Sequence, residues 1–450
     1  MCKKVFHLTF FNKACVLTLL VCFCFIVTSC QPTPEQETII SRTNASAVYM
    51  VTDRFEPIEI PDKIYKDDRT LGKATVSVHA DVLPLKATGY PIVQVKQDTF
   101  SDERISNILS TLISDNSTLY RAWERTVDDY IYLLTLSKQL DTEHEEVAGY
   151  IEWLTQSINN APRSVDKEAF FISEALPKET YHVYAEKEGS VSSAMFKIDG
   201  DYFSYFRDIN YNATPLSWLN SNTVYEKIAP ALSEEDASDI AVNTMQSIGE
   251  DSSFVVLSCE PVIIHRVPKS EWGGWQIVLG RSYAGICTAY TPKVGMDAVS
   301  PPSTGAPWPK ETLTIVVDEQ GIFSLNWSNP IYSHDVITEN AKLLSLEEIT
   351  SRAQQQLLYL YSGASELYPE IEHMQIDIDK VGLNMGVLSA KNNSNIGICI
   401  PIWQFFYTID NGLSGADDTL WSMFISGIDG SYVEPNVTTQ QIEDMAQRRK

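Results

Sequence analysis

Among the residues able to do chemistry, the most informative is Cys30. It ends the run Val27-Thr28-Ser29-Cys30, which follows Lys3, Lys4, Lys13 and an apolar stretch from Ala14 to Val27 interrupted only by Thr18. A charged segment, an apolar segment and small residues before a cut follow one another as in a signal peptide, and a thiol just after the cut is the atom that takes diacylglycerol. The stretch falls short of the roughly 20 apolar residues of a spanning helix. The expectation is a leader over 1–29, a diacylglyceryl group on Cys30, and a protein anchored to the extracytoplasmic face of the cell membrane. Residue 31 is Gln rather than Asp, so nothing here argues for inner-membrane retention.

The other nucleophiles and ligands form no familiar set. Cys259, Cys287 and Cys399 lack C-x-x-C spacing and sit in apolar, strand-like segments. This disfavours zinc and leaves two readings, a Cys259–Cys287 disulfide or three buried free thiols, of which the thiols fit the surroundings better. The histidines at 79, 144, 182, 265, 334 and 373 stand apart from one another. His144-Glu145-Glu146 opens like a zinc protease motif, but residue 148 is alanine. Ser164-Val165-Asp166-Lys167 has the S-x-x-K spacing without a K-T-G partner. Asp128-Asp129 and Asp377 with Asp379 offer paired carboxylates, in a helical stretch and on the outer face of a strand respectively, both usual places for solvated charge. No phosphate-binding or dinucleotide-binding glycine motif occurs, and no cofactor or metal is expected. Residues 291–310, TPKVGMDAVSPPSTGAPWPK, form a long Pro- and Gly-rich connection ending at Trp308 between two prolines. Long loops of this kind are usually functional or disordered, and Trp308 is the one binding residue the motifs suggest.

Charge narrows the partners. The chain of 450 residues carries a net charge of −25, which becomes −28 when the leader takes its three lysines. Such an excess of carboxylates disfavours nucleic acid and anionic lipid, and tolerates a cationic peptide, a protein or divalent cations.

The elements that must position these residues follow from spacing. Residues 30–46 are polar and read as a flexible tether. Ala74 to Val82 alternates strictly, a half-buried strand with Pro91 to Val95 as its expected partner. Three helices are expected in 100–161. Ile105, Ile108, Leu109, Leu112 and Ile113 lie behind a Ser101 cap, Leu119 to Leu140 carries Trp123, Val127, Tyr130, Ile131 and Leu134, and Val147, Ile151, Leu154 and Ile158 follow a Thr142–Glu145 capping box. Strands return at Tyr181 to Tyr184, and Ser190 to Lys197 is expected to pair with Tyr202 to Phe206. Two later helices share one grammar. Ser233 opens the first, with Ala237, Ala241, Met245 and Ile248 inward and Gly249 at the exit; Ser345 opens the second, with Ile349, Ala353, Leu357 and Leu360 inward and Gly363 at the exit. Strand-like runs follow each. The expected fold is α+β, with antiparallel sheets carrying packed helices: an N-terminal domain over 47–225 with a helical insert at 100–161, αβββ units over 226–340 and 341–436, and a tail at 437–450.

The series Trp308-Pro-Lys-Glu311-Thr-Leu-Thr-Ile-Val-Val-Asp318-Glu-Gln-Gly321-Ile-Phe, Asn329-Pro330, Leu343-Leu344, Ile400-Pro401-Ile402-Trp403-Gln404-Phe405 and Ile428-Asp429-Gly430-Ser431 resembles a family of uncharacterised lipoproteins from Gram-positive anaerobes. The resemblance covers most of the chain after the leader and implies an anchor on Cys30. The family has no assigned activity. Its helix-then-strands units are similar to PepSY-like modules, which elsewhere bind or restrain proteases and sensor kinases. The motifs also read structurally. Asp318 to Gly321 and Asp429-Gly430 are turns, and Pro401 begins a strand with Trp403 and Phe405 on one face and Gln404 on the other. The leading expectation is a non-catalytic envelope protein that binds a protein or peptide. The alternatives are a solute-binding lipoprotein of a transporter and a wall hydrolase with a site such as Ser164.

Overall fold

A computed structural model describes residues 54–97, 99–113, 116–138, 145–172, 182–187, 190–196, 200–208, 211–215, 228–250, 253–266, 270–290, 311–362, 371–390, 393–412 and 420–433. Cys30, Trp308, the leader, the tether, the 291–310 connection, the Thr142 cap, Gly363 and the 437–450 tail lie outside them. The fold is α+β with mostly antiparallel sheets and five α-helices among the described residues. None of these helices is long and apolar enough to cross a membrane.

One sheet has eight strands: β1 (Lys63–Leu71), β2 (Ala74–Val82), β3 (Ile92–Gln97), β14 (Ile331–Thr338), β15 (Met374–Ala390), β16 (Asn393–Asp410), β17 (Trp421–Ser426) and β18 (Tyr432–Val433). Its path runs β1-β2-β15-β16-β17-β18, and β3 joins β14 to β16. The period of two along β2 is obeyed, with Ala74, Val76, Val78 and Ala80 all buried. Its partners are nevertheless β1 and, in parallel, β15, rather than the segment at 91–95, which pairs with β14 and β16. Alternation determines which face a residue takes and says nothing of which strand lies beside it.

Pro401 sits inside β16 rather than at its start. The neighbour of β16 changes there, from β3 at Ile396–Cys399 to β17 at Ile402–Tyr407. On that side the Pro401 carbonyl accepts a bond from the Gly427 N–H at 3.0 Å, so the missing N–H faces a gap in the ladder, where it is not needed. Trp403 and Phe405 are fully buried on one face. Gln404, on the other, donates to the Tyr290 carbonyl and accepts from Asn384.

The other sheet has ten strands: β4 (Thr118–Arg121), β5 (His182–Lys187), β6 (Ser190–Phe196), β7 (Tyr202–Phe206), β8 (Tyr211–Pro215), β9 (Phe254–Arg266), β10 (Ser270–Tyr283), β11 (Ile286–Cys287), β12 (Thr312–Asp318) and β13 (Gly321–Ser328). They run β4-β5-β6-β7-β13-β12-β10-β9-β8, with β11 on β10. The segment expected as one domain at 47–225 thus supplies β1 to β3 to the first sheet and β4 to β8 to the second. β14, inside the span of the first αβββ unit, joins the eight-stranded sheet. At the tip of the β10–β11 hairpin, Ala284 and Gly285 both have positive φ, and a Cβ on Gly285 would lie 2.3 Å from the Lys86 carbonyl oxygen. Only glycine lets that tip press against the first sheet's chain.

Helix α1 (Asp102–Leu112) and helix α4 (Glu234–Ile248) cover one face of the ten-stranded sheet; α5 (Leu346–Tyr361) covers the eight-stranded one. The serine caps form as the sequence indicates: Ser101, Ser233 and Ser345 each accept the backbone N–H three residues on, at 3.2, 3.0 and 3.3 Å. Gly249 takes φ +96° at the exit of α4. In α5 the inner face includes Leu346 and Leu358, whereas Leu360 is 43% exposed, because the stripe drifts round a helix of 3.6 residues per turn.

Beneath the helices lies a buried ion network. Arg281, 1% exposed, donates to Glu311 from Nε at 2.8 Å and Nη2 at 3.0 Å, and Glu311 also accepts from the Trp327 indole and the Ile331 N–H. Arg104 of α1 binds Glu250 at the end of α4.

Candidate functional site

The two remaining helices behave differently. Residues 119–140, expected to be helical throughout, begin as the edge strand β4. Thr118 to Arg121 pair with Val183 to Glu186 of β5, and helix α2 spans only Val127–Ser137. The run TLYR carries a β-branched residue and an aromatic, and a neighbouring strand with open ladder positions overrides its weak helical preference. Helix α2 is capped by a pair the sequence reading missed. Asp129 accepts from the Thr126 N–H at 2.8 Å, and Thr126 Oγ1 accepts the Asp129 N–H at 3.3 Å, a capping box with aspartate in the glutamate role. So Asp129 is a cap and Asp128 an exposed charge, not an acid–base pair. Helix α3 (Glu145–Asn160) returns beside α2, and the Val127 N–H donates to the Pro162 carbonyl to close the hairpin's base.

The helices of this hairpin pack on each other and leave apolar surface outside. None of Val127, Tyr130, Ile131, Tyr132, Leu133 and Leu134 is fully buried. On α3 only Leu154 is, among the side chains described. Trp153 stacks on Tyr150 at 5.5 Å with the rings 18° apart, and meets Tyr130 edge-on at 5.9 Å. Ile131, Tyr150 and Trp153 remain 47, 43 and 48% exposed.

At the hairpin's root the aromatic surface continues onto the sheet edge. Trp123 meets Tyr184 at 4.7 Å and Tyr120 at 5.8 Å, and Phe171, half exposed, lies 6.1 Å from Tyr120. Lys167 stands 5.1 Å over the Trp123 ring and is ion-paired with Glu186 at 3.0 Å. The lysine of the S-x-x-K run thus spends its ammonium on Glu186 and the Trp123 ring.

One pair in this region has the geometry of nucleophile and base. His182 Nε2 lies 2.8 Å from Ser193 Oγ, on neighbouring strands. Burial, and secondarily the Arg125 charge, hold the imidazole below its usual pKa, so it is neutral at pH 7 and able to accept the hydroxyl proton. Ser193 itself is only 9% exposed. Spacing alone had no means of joining residues eleven apart on paired strands.

The remaining candidates stay apart. Cys259 faces Ile277 and Cys287 faces Ser282, five positions apart along β10; all three cysteines are free thiols, but only Cys399 is buried, the other two being half-buried because they lie toward the sheet's margins. Burial pushes Cys259 up to about 11 and raises Cys287 and Cys399 too, so all three are protonated at neutral pH. Asp377 accepts from Gln375, and Asp379 is raised by burial and then by Asp377. A depression of about 400 Å³ lies along β1, lined by Tyr65, Lys66, Asp67, Asp68 and His79. Among the described residues no cluster of His, Cys, Asp or Glu is arranged to hold a metal.

No protein-family model and no curated protein matches the chain. Among solved structures it is similar to an uncharacterized protein from Eubacterium rectale ATCC 33656, with 13% sequence identity over 83% of this chain and 94% of that one, at a TM-score of 0.46.

Proposed function

We propose that this chain is a lipid-anchored, extracytoplasmic protein that binds a protein or peptide partner without catalysing a reaction. The single observation that carries the reading is the exposed aromatic surface of the α2–α3 hairpin. Stacked tryptophan and tyrosine left in water are costly to a protein that does not use them, and such side chains supply much of the energy of protein interfaces. The anchor is a diacylglyceryl group on Cys30, attached after removal of 1–29, and Trp308 belongs to a second contact segment. The PepSY-like reading of the C-terminal half draws support from strand order: α4 precedes the antiparallel series β9-β10-β12-β13, and α5 precedes β15-β16-β17-β18. The solute-binding alternative fits less well, because such proteins usually have parallel sheets, and β2 with β15 is the one parallel ladder among the described strands.

A photo-crosslinking side chain at position 153 in intact cells tests the reading, with the same group at position 66 on the opposite sheet as reference. One dominant protein adduct specific to 153 is expected. Equal, diffuse labelling at both positions overturns the reading, and labelling of Ser193 by a fluorophosphonate replaces it with acyl transfer through the His182 pair. Cys30→Ser is expected to release the protein from the membrane fraction.

A further inference from the structure

The partner's chemistry follows from the charge of the hairpin. Over 127–160 the chain has seven carboxylates and a single lysine, Lys138, a net charge of −6 in 34 residues. Acids border the apolar patch. Exposed Asp128 precedes Ile131 by three positions, one helical step on the same face, and exposed Glu152 adjoins Trp153. Glu152 is turned along the helix by the Gln156 side chain, which donates to it at 3.2 Å.

An apolar helix surface with exposed aromatic rings and an acidic rim selects its occupant on both counts. The rings need an apolar stripe to cover them, and the rim needs cations beside that stripe. We propose, resting on the partner-binding reading above, that the α2–α3 hairpin receives a cationic amphipathic helix, which packs as a third helix with its apolar side on Ile131, Tyr150 and Trp153 and its lysines or arginines against Asp128 and Glu152. Two helices give a two-sided groove with the spacing of side-chain ridges that a third helix fills, and a guanidinium or ammonium beside Trp153 gains from the face of the indole as well. The same charge weighs against the other occupants. A second copy brings its own Asp128 and Glu152 to the contact, and anionic lipid repels the rim.

The test uses the full mature chain in detergent and a synthetic peptide of about 18 residues with leucines at helical spacing and lysines elsewhere. Its reverse-charge control carries glutamates in place of lysines. Binding is followed by calorimetry. The lysine peptide is expected to bind in the micromolar range and to weaken as salt is raised, while the glutamate peptide does not bind. Trp153→Ala is expected to weaken binding by about tenfold or more, and the double variant Asp128→Asn, Glu152→Gln by a similar factor with less salt dependence and an unchanged melting temperature. Equal binding of both peptides, an unchanged affinity in Trp153→Ala, or displacement of the peptide by phosphatidylglycerol vesicles overturns the inference. If position 153 captures a partner in cells while the lysine peptide fails to bind, the partner class is wrong and the binding reading stands. If the peptide binds as described and position 153 captures nothing specific, the reading falls while the hairpin's selectivity remains.

Discussion

Helices α4 and α2 contrast within one molecule. In α4, Ala237, Ala241, Met245 and Ile248 fall on one stripe and are all buried against the ten-stranded sheet. In α2, VDDYIYLLTLS is apolar around most of its circumference, yet apart from Ser137 none of the residues with described side chains is fully buried. A narrow stripe is satisfied by one neighbour, whereas a helix apolar all round needs several, and α2 has chiefly α3. The packed helix therefore buries its apolar face in the fold, and the α2–α3 pair keeps Ile131, Tyr150 and Trp153 exposed.

Substitutions sharpen that contrast, most strongly at the packed end. Glu311→Gln removes the carboxylate that Arg281 holds with two hydrogen bonds and leaves it the more distant Glu250 at 3.6 Å; breaking a buried pair of this kind costs up to about 3–5 kcal/mol, to be read as a lowered midpoint in urea unfolding. Met245→Ala opens a cavity beneath α4 worth about 2–5 kcal/mol; Ile131→Ala on α2 is expected to stay within about 0.5 kcal/mol. Similar losses at both positions would erase the distinction between the helices. Removing a cap probes cooperativity. Ser233→Ala should lower global stability by about 1 kcal/mol, while Thr126→Ala, losing a comparable cap, should mainly speed hydrogen exchange within α2 and α3. The smallest effect is at the hairpin's root. His182 takes up its proton near pH 6.5 in the unfolded chain and at lower pH in the folded one. The unfolded state therefore binds more protons in that window, and stability falls as pH drops from 6.5 through the folded pKa. Thermal melts between pH 7 and 5 should show that fall, and His182→Gln should reduce it.

Much of the local structure was legible. The alternation of Ala74 to Val82, the serines opening α1, α4 and α5, and the glycine ending α4 all act within one turn or one strand, where neighbours in sequence are neighbours in space. The candidate surface was legible only in part. Trp153 stands off the Ile151, Leu154, Ile158 stripe, which already points it outward, but its stacking on Tyr150 beside Tyr130 needed the return of α3 along α2. The edge strand β4 was hidden because its conformation is imposed by β5, more than sixty residues later.

By itself, the chain's order of residues determined the serine-capped helix starts, the inner faces of strands and the excess of negative charge, because each depends on types and spacings a few positions apart. Only the tertiary structure decided that β2 lies beside β15, that Pro401 falls where the flanking strand changes, that His182 meets Ser193, and that Ile131, Tyr150 and Trp153 stay exposed on the α2–α3 hairpin. These depend on which distant segments compete for the same ladder or the same apolar face, and that competition is resolved by packing and hydrogen bonding over the whole chain rather than by any local pattern.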